Sequence, residues 1–364
     1  MYLTKLPIRK PAPDIDRFIK VVKGELIPER PPFTELLIDR EIIKEIGENF
    51  LGLTWTDYGT EREDKKKYWD FMVRVHMALG YDYLWVWGGL RFPAKVRTAK
   101  DTAEISRGTR EWVETSVGII KDRDDYNNYP WPVFDDESLW DYEYVSSVLP
   151  DGMGMFVGGC DGFFEAVSEI LLGFENMCYL VYDDPELVDA VIDRSANIIL
   201  DAHKKMLEVP KVAGIFMGDD LGYVSGTFFS ADYLRAKILP WHKKISDLAH
   251  QKGLLYLLHS CGKLDEIMDD LIDDIKIDAK HSFEDKFSPV IPFKQKYGDR
   301  IAVLGGVEID KLCRLEEEDL RTYCRNILSA CMEGGRYAFG SGNSIANYVP
   351  IKNYLIMLEE GFRF

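Results

Sequence analysis

His259 and Cys261 stand two residues apart in Leu257-Leu258-His259-Ser260-Cys261-Gly262. On an extended segment, side chains two apart point to one face. An imidazole and a thiolate converging there supply the nitrogen and sulfur donors that Zn²⁺ takes in a tetrahedral site. The next apolar run ends Ala279-Lys280-His281-Ser282-Phe283-Glu284. If the two segments are neighbours, Glu284 or His281 can add a third donor. The competing reading is a histidine packed beside a buried cysteine.

Other runs also end in reactive or accommodating residues. Asp219 and Asp220 lie in Met217-Gly218-Asp219-Asp220-Leu221-Gly222. One of them can act as a general acid or base, or orient a substrate amine or hydroxyl. Alternatively one caps the following turn and the other faces solvent. Ser341 and Asn343, in Phe339-Gly340-Ser341-Gly342-Asn343-Ser344, belong to a small-residue stretch where backbone can approach a ligand. Trp85 and Trp87 share one face of an extended run, and with Arg91 they can stack on or clamp a flat or anionic ligand. Trp131 and Trp140 fall in the acidic stretch 122–144, expected as an irregular loop over the site.

These residues need a scaffold that brings strand ends together. After Tyr81, short apolar runs alternate with longer amphipathic stretches. The runs begin at Tyr83, Met153, Val212, Leu254, Ile277, Ile301 and Tyr337. The amphipathic stretches include 185–206 and 230–252, the second opened by Ser230 and closed by Gly253. Near-continuous apolar strands alternating with helices predict a parallel sheet covered on both faces. Seven runs, with an eighth expected within 112–119, favour a TIM (β/α)8 barrel, whose chemistry sits at the C-terminal rim. Residues 1–60 read as a Pro-rich arm and covering helices, and 1–364 as one barrel domain. The charges of 60–67 read as a solvated face. No Gly-x-Gly-x-x-Gly follows a strand, so a dinucleotide fold has no local support.

Composition narrows the partners. The 364 residues carry 45 Lys+Arg against 62 Asp+Glu, a net charge of −17. Such a surface repels phosphate, which argues against nucleic acid and anionic membranes. Six cysteines are too few for a disulfide framework in a chain of this length. No apolar run approaches a membrane span, and residues 1–10 lack the apolar core of a signal peptide, so a cytoplasmic protein is expected.

Taken together, these segments resemble the uroporphyrinogen decarboxylase superfamily. The resemblance is carried by Gly162-Phe163-Phe164-Glu165 through Gly173-Phe174-Glu175-Asn176-Met177, Gly218 to Gly222, His259 to Gly262, Gly305-Gly306-Val307-Glu308 and Ser341 to Tyr354. Pro32-Phe33-Thr34-Glu35-Leu36 resembles it more loosely. The resemblance implies a TIM barrel and a homodimer, with one of two chemistries. One branch decarboxylates tetrapyrrole acetate arms without a cofactor. The other comprises zinc-dependent methyltransferases that work with corrinoid (cobalamin) proteins and, more distantly, cobalamin-independent methionine synthase.

The decarboxylase branch implies paired N-terminal arginines, an Asp after an early strand and a late His. Here the arm reads Glu29-Arg30-Pro31-Pro32, the early strand ends Trp87-Gly88-Gly89, and Asn343 replaces the His. The methyltransferase branch implies His-x-Cys and a later Cys as zinc ligands, with a Glu about twenty residues on in methionine synthase. His259, Cys261 and Glu284 match; at the later Cys stand Ser341 and Asn343. That leaves open a weakened zinc site, one completed by water, or one without metal.

The expectation is therefore a methyltransferase moving a methyl group between a small methylated or methoxylated substrate and a corrinoid protein or thiol. In it His259, Cys261 and Glu284 hold zinc. Asp219 or Asp220 positions or protonates the substrate, Asn343 hydrogen-bonds to it, and Trp85, Trp87, Arg91 and Ser341 line the pocket. The alternatives are decarboxylation of a tetrapyrrole or other polycarboxylate, and a non-enzymatic tetrapyrrole or corrinoid binder.

Overall fold

The computed structural model describes residues 6–7 and 10–364; most of the N-terminal run 1–10 lies outside the described residues. Seven parallel strands form one curled sheet: β1 (Tyr83–Val86), β2 (Gly154–Val157), β3 (Val212–Gly218), β4 (Leu255–His259), β5 (Ala279–His281), β6 (Ala302–Leu304) and β7 (Tyr337–Ala338). Spatial order follows chain order. Helices between successive strands pack on the outside, as right-handed parallel crossovers require. The fold is a TIM-type barrel.

The eighth position is filled by the arm, not by residues 112–119. Phe33 bridges Phe339 and Ile38 bridges Ile345, both parallel. Thr34 N–H donates to the Phe339 carbonyl at 2.9 Å and Phe339 N–H to that of Pro32 at 2.8 Å. On its other side the arm meets β1, where the Tyr83 hydroxyl lies 2.8 Å from Thr34 Oγ1. The Trp112–Val113 run instead belongs to an antiparallel hairpin, Val96–Lys100 with Thr109–Val113. Its residues are almost all exposed, and a barrel strand needs cover on both faces.

Inside the barrel, large and small side chains interleave: Tyr83, Phe156, Phe216, Leu255, Leu257 and Leu304 against Ala279, Ala302 and Ala338. Helix Ile15–Lys23 closes the N-terminal end. Its Phe18 ring packs edge-on against Tyr83 and Phe156, at 5.1 and 5.7 Å. Arg17 anchors it to Asp82. The opposite, C-terminal end stays open for polar strand ends.

The expected stretch 185–206 is one helix, with Pro185 in its first turn and Asp184 accepting from Leu187 N–H. The stretch after Ser230 is two helices, Ala231–Lys237 and Leu239–Gln251. Ser230 caps the first as expected. The interruption precedes Pro240, which lacks an N–H and crowds the preceding turn. The stretch 122–144 is largely helical and does not form a loose cover: it contains Arg123–Asn128 and most of Asp136–Val148. Trp131 packs on Phe92, Tyr126 and Tyr129, and Trp140 stacks on Tyr144. Both tryptophans are therefore engaged in local aromatic packing. No helix among the described residues is long and apolar enough to cross a membrane.

Candidate functional site

Register brings the polar strand ends together. Gly218, His259 and His281 are neighbours across β3, β4 and β5. Residues two apart alternate inward with Phe216 and Leu257, so both imidazoles point into the open end of the barrel. Three donor atoms converge there, from Asp220, His259 and Cys261, all within 4.8 Å of one another. Cys261 Sγ lies 3.4 Å from His259 Nε2, and Asp220 Oδ1 lies 3.7 Å from the same nitrogen. Cys261 N–H donates to Asp220 Oδ1 at 2.7 Å, which fixes the carboxylate beside the sulfur.

A hydrogen-bond chain sets the tautomers. A carbonyl can only accept, so His281 Nε2 carries the proton it gives to the Ser341 carbonyl at 3.2 Å. Burial, reinforced by nearby Lys280, pushes the His281 pKa down to about 3, and burial lowers that of His259 well below the usual value. Both rings are thus neutral at pH 7. His281 Nδ1 is then bare and accepts from His259 Nδ1–H at 2.7 Å. His259 Nε2 is left with a free lone pair aimed at Cys261 and Asp220. Metal-binding histidines are characteristically oriented in this way, by a partner on the second ring nitrogen.

The donor set suits a divalent cation. Burial raises the Cys261 thiol pKa, and the Asp220 charge adds to the shift; burial also raises Asp220. A cation at their centre reverses both penalties, because it favours thiolate and carboxylate together. Sulfur, nitrogen and oxygen donors are those of zinc, and three protein ligands are the number found in catalytic zinc sites with an open position.

The other expected site residues divide. Glu284 stands outside the converging group, and Asp220 takes the third position instead. Glu284 lines a cavity of about 450 Å³ together with Asn343, Phe283, Arg110 and Tyr348. Asn343 Nδ2 reaches Cys261 Sγ at 3.6 Å, so this cavity adjoins the donor cluster. Asp219 is fully buried and turned away. Its carboxylate accepts from Phe164 N–H, Glu165 N–H and His242 Nε2, at 2.8 to 3.1 Å. Ser341 is likewise fully buried, and its hydroxyl and N–H both go to Glu35.

Trp85 leans across the opening, its Nε1–H donating to the Phe216 carbonyl at 3.0 Å. Gly158 leaves room for it: a Cβ there would meet the indole at 2.8 Å. Trp87 lies 6.3 Å from Trp85 and is 51% exposed. Arg91 is exposed, and its charge acts on Asp161.

The sequence did not single out the carboxylates on the β2 and β3 side. Asp161, Glu165 and Glu169 all feel the charge of Asp219, and both glutamates feel that of Asp220. Burial first, and then these neighbours, raises all three, Glu169 to about 7 and Glu165 well above its ordinary value. Glu165 Oε2 lies 4.0 Å from where a side chain on Gly218 would begin, beside His259 in the barrel register. The available signal was Gly162-Phe163-Phe164-Glu165, where a Cβ on Gly162 would collide with Asp219 at 2.2 Å.

Residues 149–361 match the family described as Uroporphyrinogen decarboxylase (URO-D). No curated protein matches the chain by sequence. Among solved structures, a methyltransferase from Methanosarcina mazei shares 15% identity at a TM-score of 0.69, covering 96% of this chain and 98% of its own. A candidate vitamin-B12 independent methionine synthase from Listeria monocytogenes shares 12% at 0.52, covering 92% and 98%. A B12-independent methionine synthase from Shewanella sp. W3-18-1 shares 11% at 0.52, covering 85% and 90%. At these identities the likeness is one of fold.

Proposed function

The chain belongs to the uroporphyrinogen decarboxylase family, and from that premise we propose that it is a methyltransferase whose centre is held by His259, Cys261 and Asp220. It moves a methyl group between a small methylated or methoxylated substrate and a corrinoid carried by a partner protein, or a thiol. The single observation that carries this reading is the bare Nε2 of His259 facing Cys261 Sγ and Asp220 at the open end of the barrel. The methyltransferase and methionine synthase folds among its structural neighbours support it.

These three residues would hold zinc, which would supply Lewis acidity and favour the anionic form of a thiol or hydroxyl near neutral pH. The chain's own groups do the rest. Trp85 and Trp87 hold the apolar body of the substrate, and Arg91 sits at the rim. Asn343 and Glu284 bound the adjoining cavity. Glu165 keeps its carboxyl proton because burial and neighbouring acids disfavour its charge. That proton is available at Glu165 Oε to a departing oxygen or nitrogen.

Decarboxylation of a polycarboxylate fits this opening poorly. Asp161, Glu165, Glu169 and Asp220 crowd it with acids, against the cations Arg91 at the rim and Arg110 on the adjoining cavity.

The test has two arms. Protein purified without chelator is expected to carry close to one equivalent of zinc, and its Asp220→Asn and Cys261→Ser variants much less. Mixed with a Co(I) corrinoid carrier and a panel of methoxylated and methylated compounds, it is expected to change the cobalt spectrum with at least one donor. Metal-free protein that gains nothing on zinc addition would overturn the assignment.

A further inference from the structure

Lys280 lies on β5 between inward-facing Ala279 and His281, so its own side chain starts on the outer face of the barrel. It is 1% exposed, and among the described residues no carboxylate oxygen lies within 4.0 Å of its ammonium. The chain curls over the Phe283 ring, 4.3 Å from its centroid, and ends at the rim. There its ammonium donates to two successive backbone carbonyls, His281 at 3.3 Å and Ser282 more closely. Asp220 and Cys261 act on it only at longer range; a buried ammonium without a contacting counter-charge is retained at a cost, so a specific use is expected of it.

The two carbonyls belong to the residues that support the metal donors. His281 Nδ1 receives the proton of His259 Nδ1. Ser282 Oγ–H donates to Cys261 Sγ at 3.3 Å. Ser282 also has φ +89°, in the region that side-chain-bearing residues avoid. A strained residue keeps such a conformation only where its surroundings over-determine it. Here those surroundings are the Lys280 bond to its carbonyl and the Gly342 carbonyl accepting from the next amide, Phe283 N–H, at 2.8 Å.

We propose that Lys280 is the positioning residue of this centre: by gripping the 281 and 282 carbonyls it holds the strained turn that delivers one hydrogen bond to His259 and one to Cys261. It touches neither donor itself. The inference rests on the reading of His259, Cys261 and Asp220 as one centre, and adds the residue that sets their supports.

The test uses full-length protein, Lys280→Met and Lys280→Arg, with two readouts. The first is the affinity for Zn²⁺ alone, by chelator competition. Removing a support beyond the ligands typically weakens a metal site ten- to hundredfold, and that loss is expected for Lys280→Met with substantial recovery in Lys280→Arg. The second is the downfield ring N–H signal of the His259–His281 pair in metal-free protein, by proton–nitrogen correlation. It is expected in wild type and Lys280→Arg and lost in Lys280→Met. A folded Lys280→Met with wild-type affinity and an unchanged signal overturns the inference. If wild type binds no zinc but the signal disappears in Lys280→Met, the metal reading fails and the positioning role stands. If Lys280→Met does not fold, adding Ser282→Gly, which accepts positive φ freely, is expected to restore folding. A double variant that stays unfolded makes Lys280 a general core support and overturns the proposal.

Discussion

The Nδ1 atoms of His259 and His281 lie 2.7 Å apart, so one ring donates and the other accepts. The Ser341 carbonyl decides which, since it takes the Nε2 proton of His281. The consequence appears on the far side of His259, where Nε2 is bare beside Cys261 and Asp220. The electronic state of the candidate ligand is thus fixed by a backbone carbonyl two hydrogen bonds away.

That chain makes His281→Ala a specific test. The variant leaves all three donors in place and removes the acceptor for His259 Nδ1–H, together with the donor to the Ser341 carbonyl. Zinc affinity, measured by chelator competition, is expected to fall about 10- to 100-fold.

Asp219 and Asp220 are expected to separate stability from metal binding. Asp219→Ala leaves two helix-entry N–H groups and His242 without their shared acceptor. Breaking a buried charged network of this kind costs about 3–5 kcal/mol, read as a fall in the urea midpoint. Asp220→Asn is expected to leave the midpoint close to wild type and to lower zinc content.

The buried histidines give the metal-free protein an acid limit. Burial lowers His76 and His203 to about 4 and His281 to about 3. Their folded pKa values lie below the unfolded one, so the unfolded chain binds the extra protons. The stability is full above about pH 6.5 and falls as pH drops toward 4, by up to ~1.4 kcal/mol per pH unit for each group. Urea midpoints at pH 7, 6 and 5 check the trend, and His203→Phe is expected to flatten it.

Glu35 acts in the other direction. Burial raises it to about 8, against two hydrogen bonds from Ser341 that lower it. With the folded pKa above the unfolded value, its contribution is complete below about pH 4.5 and is lost as pH rises through 8. Glu35→Gln, a neutral group of the same shape, is expected to raise the melting temperature more at pH 8 than at pH 5. Equal shifts at both values would contradict a protonated Glu35.

Gly158→Ala is expected to weaken substrate binding without removing zinc. Its Cβ would enter the space of the Trp85 indole and displace that ring from the opening. Trp87→Ala, at a half-exposed ring, is expected to lower affinity while leaving the melting temperature unchanged. Tryptophan fluorescence titration with an active methyl donor measures both.

Much of the framework was legible in local patterns. The alternation of apolar runs and amphipathic stretches located six of the parallel strands closely, because a strand buried on both faces leaves an unbroken apolar run; β5, Ala279-Lys280-His281, is met by its expected run only at Ala279. His259 and Cys261 could be paired from their spacing. Position along the chain also placed Asp219, Asp220, His281 and Asn343 at strand ends. The eighth barrel position was not legible: the Pro-rich arm has no strand-like run, and only its hydrogen bonds to Phe339 and Ile345 give it that place.

Sequence by itself determined which donors lie near the rim. Tertiary structure decided which of them meet. Asp219 and Asp220 are adjacent, so they face opposite ways, and no local rule says which faces the opening. Asp220 reaches His259 and Cys261 because Asp219 is drawn to Phe164, Glu165 and His242 behind it. Glu284 stands beside the cavity because its backbone turns back to Ser288. The physical reason is that metal coordination depends on ångström-scale convergence of atoms from different strands. Spacing along one chain segment sets only the face on which each atom begins.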